Sequence, residues 1–188
     1  MHMKKIFVIA AMALLTLSAS AQKLGKVNFV ELIQLMPEAD AARATMAASS
    51  KEAEETYAAM VEEYQAKSNQ YQQKSASWTA AIKEAKEKEL YDIQTRINEF
   101  QQSIQQELAQ QQNQLMAPLQ EKAQKVVSDL AKAQGIAAVF DASSALYFDE
   151  NAVVDLTQAA RKELGIPESR TMESLQAELA AQQQAQQQ

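Results

Sequence analysis

The stretch Tyr64-Gln-Ala-Lys-Ser-Asn-Gln-Tyr-Gln-Gln-Lys-Ser-Ala-Ser-Trp-Thr79 decides the fold. Tyr64, Tyr71 and Trp78 stand seven residues apart and continue a series begun by Tyr57, with Ala53 and Met60 on the alternate position. A repeat of seven keeps one face of a helix turned toward a partner helix, so these residues form a coiled-coil seam. Around them, Glu38 to Gln134 holds one proline, Pro118, and no glycine, and is written mainly in the helix formers Ala, Gln, Glu and Lys. The seam resumes at Leu90, Ile93, Ile97, Phe100, Ile104 and Leu108, followed by Leu115, Leu119, Val126 and Leu130. Lys67, Lys74 and Gln111 interrupt it, so the coil is held thinly. One unbroken helix over this whole stretch is improbable, and Ser77 or Thr79 is suited to cap a new one. The spacing predicts an antiparallel helical hairpin with its apex at 75–81 and arms of about 57 Å at 1.5 Å per residue.

Working outward, the flanks read as sheet. Leu24 to Phe29 alternates weakly and leads into a short helix, Val30 to Met36, while Pro37 suits the first turn of the next helix. Gly135 stops the return helix. Beyond it Ile136 to Phe140, Leu146 to Phe148 and Val153-Val154 read as three short strands separated by turns. Asp155-Leu-Thr-Gln158 has capping-box spacing and opens a short helix closed by Gly165 and Pro167. The Gln-rich end, Gln182 to Gln188, reads as disordered. The expected class is α+β, mostly α, with a long hairpin projecting from a small β-rich body. Its divisions are a leader over 1–21, a body over 22–37 and 119–166, a hairpin over 38–118 and a tail over 167–188.

A body near 60 residues without disulfide or metal is marginal alone and gains stability by oligomerising. Short strands of Val, Phe and Tyr must also be paired or covered. Val27, Phe29, Ile136, Val139, Phe140, Leu146, Tyr147, Phe148 and Val154 are the expected shared core of that oligomer.

Composition removes most catalytic chemistry. The 188 residues include no cysteine, one histidine (His2), three glycines and three prolines. Thiol nucleophiles, Ser-His-Asp triads and Cys/His zinc sites are excluded, and the scattered glycines build no phosphate loop. We expect no enzyme, no metal and no cofactor. Lys4 and Lys5 precede the apolar run Ile6 to Leu17 and the small residues Ala19-Ser-Ala21, the layout of a secretory leader cleaved after Ala21. Cleavage removes two lysines from a chain whose formal charge is already -6. Such an acidic surface is unsuited to general nucleic-acid binding.

Several arm residues admit two readings. Met46, Met60, Tyr57, Tyr64, Tyr71 and Trp78 read first as seam packing, and also suit promiscuous contact with a partner, because methionine flexes and tyrosine is amphipathic. Lys83, Lys86 and Lys88 near the apex suit a solvated face or capture of acidic partners. Glu54-Glu55 and Glu62-Glu63 diverge around the helix and read as solvated surface.

These features together resemble a known family. Lys26-Val-Asn-Phe29 with Leu32 to Pro37, the Gln-rich hairpin, and Ala137-Ala-Val-Phe-Asp-Ala-Ser-Ser-Ala-Leu-Tyr147 leading to Val154-Asp-Leu-Thr157 resemble the Skp/OmpH family of periplasmic chaperones. The resemblance implies a homotrimer with a central barrel-like body, from which three hairpins hang around a cavity for unfolded outer-membrane proteins. Members known for binding lipopolysaccharide and anionic lipid are strongly basic, and the acidity of this chain speaks against lipid partners. Two functions follow as expectations: an ATP-independent holdase of the periplasm, or a structural or adaptor coiled coil of the envelope that binds one folded partner.

Overall fold

The computed structural model describes residues 23–186. The leader and its cleavage point lie outside the described residues. In chain order the elements are β1 (Lys23–Val27), α1 (Phe29–Leu35), α2 (Pro37–Lys74), a 3-10 turn at Ser75–Ser77, α3 (Ala80–Ala133), β2 (Ile136–Asp141), β3 (Val153–Asp155), α4 (Thr157–Glu163) and α5 (Met172–Gln186). They divide into two units: an arm, Leu35–Glu121, and a body built from 23–34 with 122–186.

In the body, β1 is the central strand of a three-stranded sheet of order β2-β1-β3, parallel on both sides. Leu24 pairs with Ala138 on one side and Val153 on the other. Parallel neighbours require a crossover, and the one between β1 and β2 contains all of α1, α2 and α3. Gly25 sits mid-strand, where a Cβ would stand 3.2 Å from both Ile136 Cγ2 and Val139 Cγ2. Its missing side chain is what lets those two branched residues close over the sheet. Val27, Leu32, Ile33, Ala123, Val127, Ala131, Ile136, Leu156, Ala160, Leu164, Ile166 and Leu175 are the buried apolar residues of this unit.

Polar residues at the strand ends start the helices. Asn28 Oδ1 accepts from Glu31 N at 3.3 Å while Asn28 Nδ2 donates to Glu31 Oε2 at 2.9 Å, a reciprocal cap on α1. Phe29 N donates to Asp141 Oδ2 at 3.2 Å, and Asn28 N donates to Thr157 Oγ1 at 3.1 Å, so the end of β2 and the start of α4 are tied to the same turn. Gly135, with φ of 65°, ends α3 in the left-handed region that glycine enters without penalty.

Four expectations are corrected. Phe29 opens α1 rather than closing β1, because the Asn28–Glu31 cap starts the helix there. Leu146-Tyr-Phe148 is not a strand. The sheet has the order β2-β1-β3, and this stretch pairs with none of the three strands. Asp155 does not form a capping box with Gln158; its Oδ1 accepts from Thr157 N at 2.8 Å in a local turn instead. Lastly, the Gln-rich end is helical as far as Gln186, since Ala and Gln are both good helix formers.

The arm is two long helices. Pro37 occupies the first turn of the 38-residue α2, where its missing N–H would have had no partner. Thr79 starts α3, its Oγ1 accepting from Ile82 N at 3.4 Å and its carbonyl accepting from Lys83 N at 3.0 Å. Pro118 lies within the 54-residue α3.

Candidate functional site

Toward the apex, the faces of α2 and α3 that meet are more polar than a coiled-coil seam requires. Ile93 and Ile97 are buried, and Met60, Tyr64, Tyr71 and Trp78 are half-buried. Lys67, which interrupts the heptad series, is met by Glu89 of α3, and Lys86 Nζ reaches the other carboxylate oxygen of Glu89 at 2.7 Å. Arg96 Nη2 donates to Glu63 Oε2 at 3.2 Å, and the Tyr71 hydroxyl donates to Glu87. Hydrogen bonds from Lys67 and then Lys86 hold the Glu89 carboxyl at about 2, and the bond to Glu89 raises Lys67 above its usual value. The bond to Glu87 likewise raises the Tyr71 phenol. Trp78 stands edge-on to Tyr71, with ring centroids 5.7 Å apart, and extends the seam up to the turn.

Further along the arm the helices meet differently. Phe100, Ile104 and Leu108 of α3 are only half-buried, because the residues of α2 beside them are Ser49, Ser50 and Ala53, too short to cover them. Two cavities result, of about 540 and 590 Å³, sharing Ala53, Phe100, Ile104 and Leu108 in their walls. The first is bordered by Glu52 and Glu107, the second by Glu54 and Tyr57. A heptad series announces which face meets a partner but not whether the partner fills it, so sequence reasoning counted these three residues as seam. The signal was the run of Ala and Ser in α2.

The arm residues singled out from the sequence therefore separate. Tyr71, Trp78 and Lys86 come together with Glu87 and Glu89 near the apex. Met46, half-buried, lies nearer the start of α2, Lys83 is half-buried, and Lys88 is exposed. In the body, Val27 and Ile136 are buried, and Phe29, Val139, Phe148 and Val154 are half-buried. The Lys26 ammonium stands 5.9 Å over the Phe148 ring and is held by Glu150 at 2.6 Å. Phe140 at 46%, Tyr147 at 81% and Leu146 at 108% exposure face water, a costly display for one small unit.

One residue of consequence left no sequence signal. Arg161 of α4 is 6% exposed; its guanidinium donates to Glu31 Oε1 at 2.6 Å, to the carbonyl of Pro167 at 3.0 Å and to that of Arg170 at 2.5 Å. It fastens the segment leading to α5 onto α1 and α4. An arginine in a helix reads as surface from sequence, and only the tertiary fold reveals the acceptors.

Among known families, the model of OmpH-like outer membrane proteins matches residues 23–164. The chain belongs to the OmpH-like family. This family consists of periplasmic chaperones that bind outer-membrane proteins, not of enzymes, and the present chain is one of them. The match runs from β1 to the end of α4, so α5 lies beyond the OmpH-like part. No curated protein matches the chain. Among the described residues of this OmpH-like protein, no helix is long and apolar enough to cross a membrane, and no cluster of three or more His, Asp or Glu side chains is placed to hold a metal ion.

Proposed function

We propose that the chain is an ATP-independent holdase that works as a homotrimer, with the arms of three copies enclosing unfolded outer-membrane proteins and keeping them from aggregating. The observation that carries this reading is the arm itself. Between Leu35 and Glu121 very few large apolar residues are buried, while Tyr57, Phe100, Ile104 and Leu108 stay partly open to contact. A protein that must hold many sequences weakly needs a large, deformable, mixed apolar and polar surface rather than one shaped pocket. The trimer is supported by what the body leaves uncovered. Within one chain β2 and β3 are both edge strands, and Phe140, Leu146 and Tyr147 are exposed beside them in sequence. Sheet edges and apolar side chains of this kind are covered in a stable protein. Client contacts are assigned to Met46, Met60, Tyr64, Tyr71 and Trp78, with Lys83, Lys86 and Lys88 steering acidic segments toward the apex.

The test uses the chain from Gln22 onward. Light scattering should report a trimer, and the protein should suppress aggregation of several unrelated unfolded barrel proteins without nucleotide. Replacing Phe140 by Asp buries an unpaired charge in the shared body and should abolish assembly. A folded monomer, a requirement for ATP, or protection of one protein alone would overturn the reading, the last in favour of an adaptor with a single partner.

A further inference from the structure

We infer that the pair of cavities on either side of Ala53, Phe100, Ile104 and Leu108 is a docking groove for a short polypeptide segment in which a large apolar side chain is flanked by lysine or arginine. The inference rests on the proposed holdase reading for the source of that segment, a non-native client, but not for the chemistry of the groove. Each cavity, about 540 and 590 Å³, falls in the range of sites that take small ligands and is large enough for an aromatic side chain. Ala53, Phe100, Ile104 and Leu108 give both cavities a common apolar strip among polar side chains, and no lysine, arginine or histidine lines either cavity.

The rim carries the charge argument. Glu52 and Glu107 border one cavity and Glu54 the other. Nearer the apex, Glu63, Glu87 and Glu89 are each engaged by Arg96, Tyr71 or the lysines Lys67 and Lys86. Lys51, the nearest lysine in sequence, points its charge to Glu55 at 3.8 Å and lines neither cavity. Three carboxylates, with no basic side chain in either lining, around the apolar strip of Ala53, Phe100, Ile104 and Leu108 complement a cationic, apolar segment and disfavour an acidic one. Gln101, Gln105, Gln110 and Gln111 supply amides that both donate and accept, so they can serve a peptide backbone regardless of its sequence.

The experiment titrates the full chain with a peptide of about 12 residues, extended, bearing one phenylalanine between two lysines and a neutral dye, against a twin with glutamate for lysine. The lysine peptide should bind roughly tenfold more tightly at low salt, with the preference shrinking as salt rises. Ala53→Phe fills both cavities from a helical position and should lower its affinity roughly tenfold while the helical signal and melting stay as they were. E52Q and E107Q combined with E54Q should erase the preference and spare binding of a neutral peptide. Should Ala53→Phe disturb the helices, a photoreactive phenylalanine in the peptide keeps the question open to decision on the unaltered chain. Crosslinks at 49–57 and 100–111 support the groove, and crosslinks at the apex or the body overturn it. Equal binding of the twins also overturns it. If unaltered protein protects unfolded barrel proteins and Ala53→Phe does so equally well without losing either peptide, the groove is wrong and the holdase reading stands. If the groove binds the lysine peptide but no unfolded barrel protein is protected, the holdase reading is wrong and the groove stands.

Discussion

In the body, Leu32, Leu156 and Ala160 are wholly shielded from water, and a buried arginine is satisfied by a carboxylate and two carbonyls. Near the apex of the arm, the contacts across the two helices are Lys67 to Glu89, Arg96 to Glu63 and Tyr71 to Glu87, with Ile93 and Ile97 the fully covered apolar residues beside them. Burial stabilises by about 25 cal/mol per Å² of apolar surface, whereas half-exposed ion pairs contribute little. The body is therefore fastened by a few large terms and the arm by many small ones. Small terms break and reform singly, so the arm can open locally without loss of the whole fold.

The comparison can be broken from the body side first. Arg161→Ala leaves Glu31 partly buried without its cation and takes a donor from the Arg170 and Pro167 carbonyls, the latter keeping only the Arg170 N–H, and should destabilise the chain by about 3 to 5 kcal/mol in urea unfolding. A loss near zero would mean that the body does not depend on this knot. Leu156→Ala removes a side chain with no exposed surface and should lower stability by about 2 to 5 kcal/mol, read by thermal melting followed in the near-ultraviolet. Gly135→Ala forces an ordinary residue to φ of 65° in open space and should give a smaller loss, about 1 to 2 kcal/mol.

The arm should answer most weakly. The Glu89 carboxyl sits at about 2 against a usual 4.5, so its contribution is complete above 4.5 and fades as the pH falls through 2. Lys67, raised by the same contact, and Tyr71, raised by Glu87, contribute below their usual values of 10.5 and 10.0 and lose that contribution in more alkaline solution. E89Q should shift the urea midpoint only slightly at pH 7 but flatten the acid limb between pH 4.5 and 2. Hydrogen exchange at residues 60–96 would register the change. An unaltered acid limb would show that the cluster does not couple to folding.

How much of this was legible depends on what a sequence records. Heptad spacing records which faces meet, so Tyr64, Tyr71, Ile93 and Ile97 declare a two-helix hairpin. The chemistry of Ser75 to Thr79 declares a break, which falls at the 3-10 turn before α3. What periodicity cannot record is depth. Phe100, Ile104 and Leu108 obey the seam, yet the short side chains of α2 leave them open. Charge is equally opaque, since Lys67 reads as a fault until Glu89 is seen opposite, and Arg161 reads as surface until the Pro167 and Arg170 carbonyls are in place. Leu146 to Phe148 has the composition of a strand yet pairs with none of β1, β2 and β3, and which segments pair is something no local pattern encodes.

The parallel pairing of β1 with β2 sets the order in which the chain can fold. Val27 and Asp141 are partners in neighbouring strands although roughly 110 residues separate them, and closing so long a loop is slow because entropy opposes it. Nearly all of that loop is α1, α2 and α3, whose helices form within about a microsecond and whose hairpin zips from a turn at its midpoint. Once zipped, the span left to close shortens to about 20 residues, 28–34 and 122–135, and with each doubling worth about 0.6 kcal/mol the barrier falls by about 1.5 kcal/mol. The arm thus serves as a kinetic clasp for its own sheet: weakening its contacts should slow the appearance of β1–β2 pairing more than it changes how long that pairing lasts.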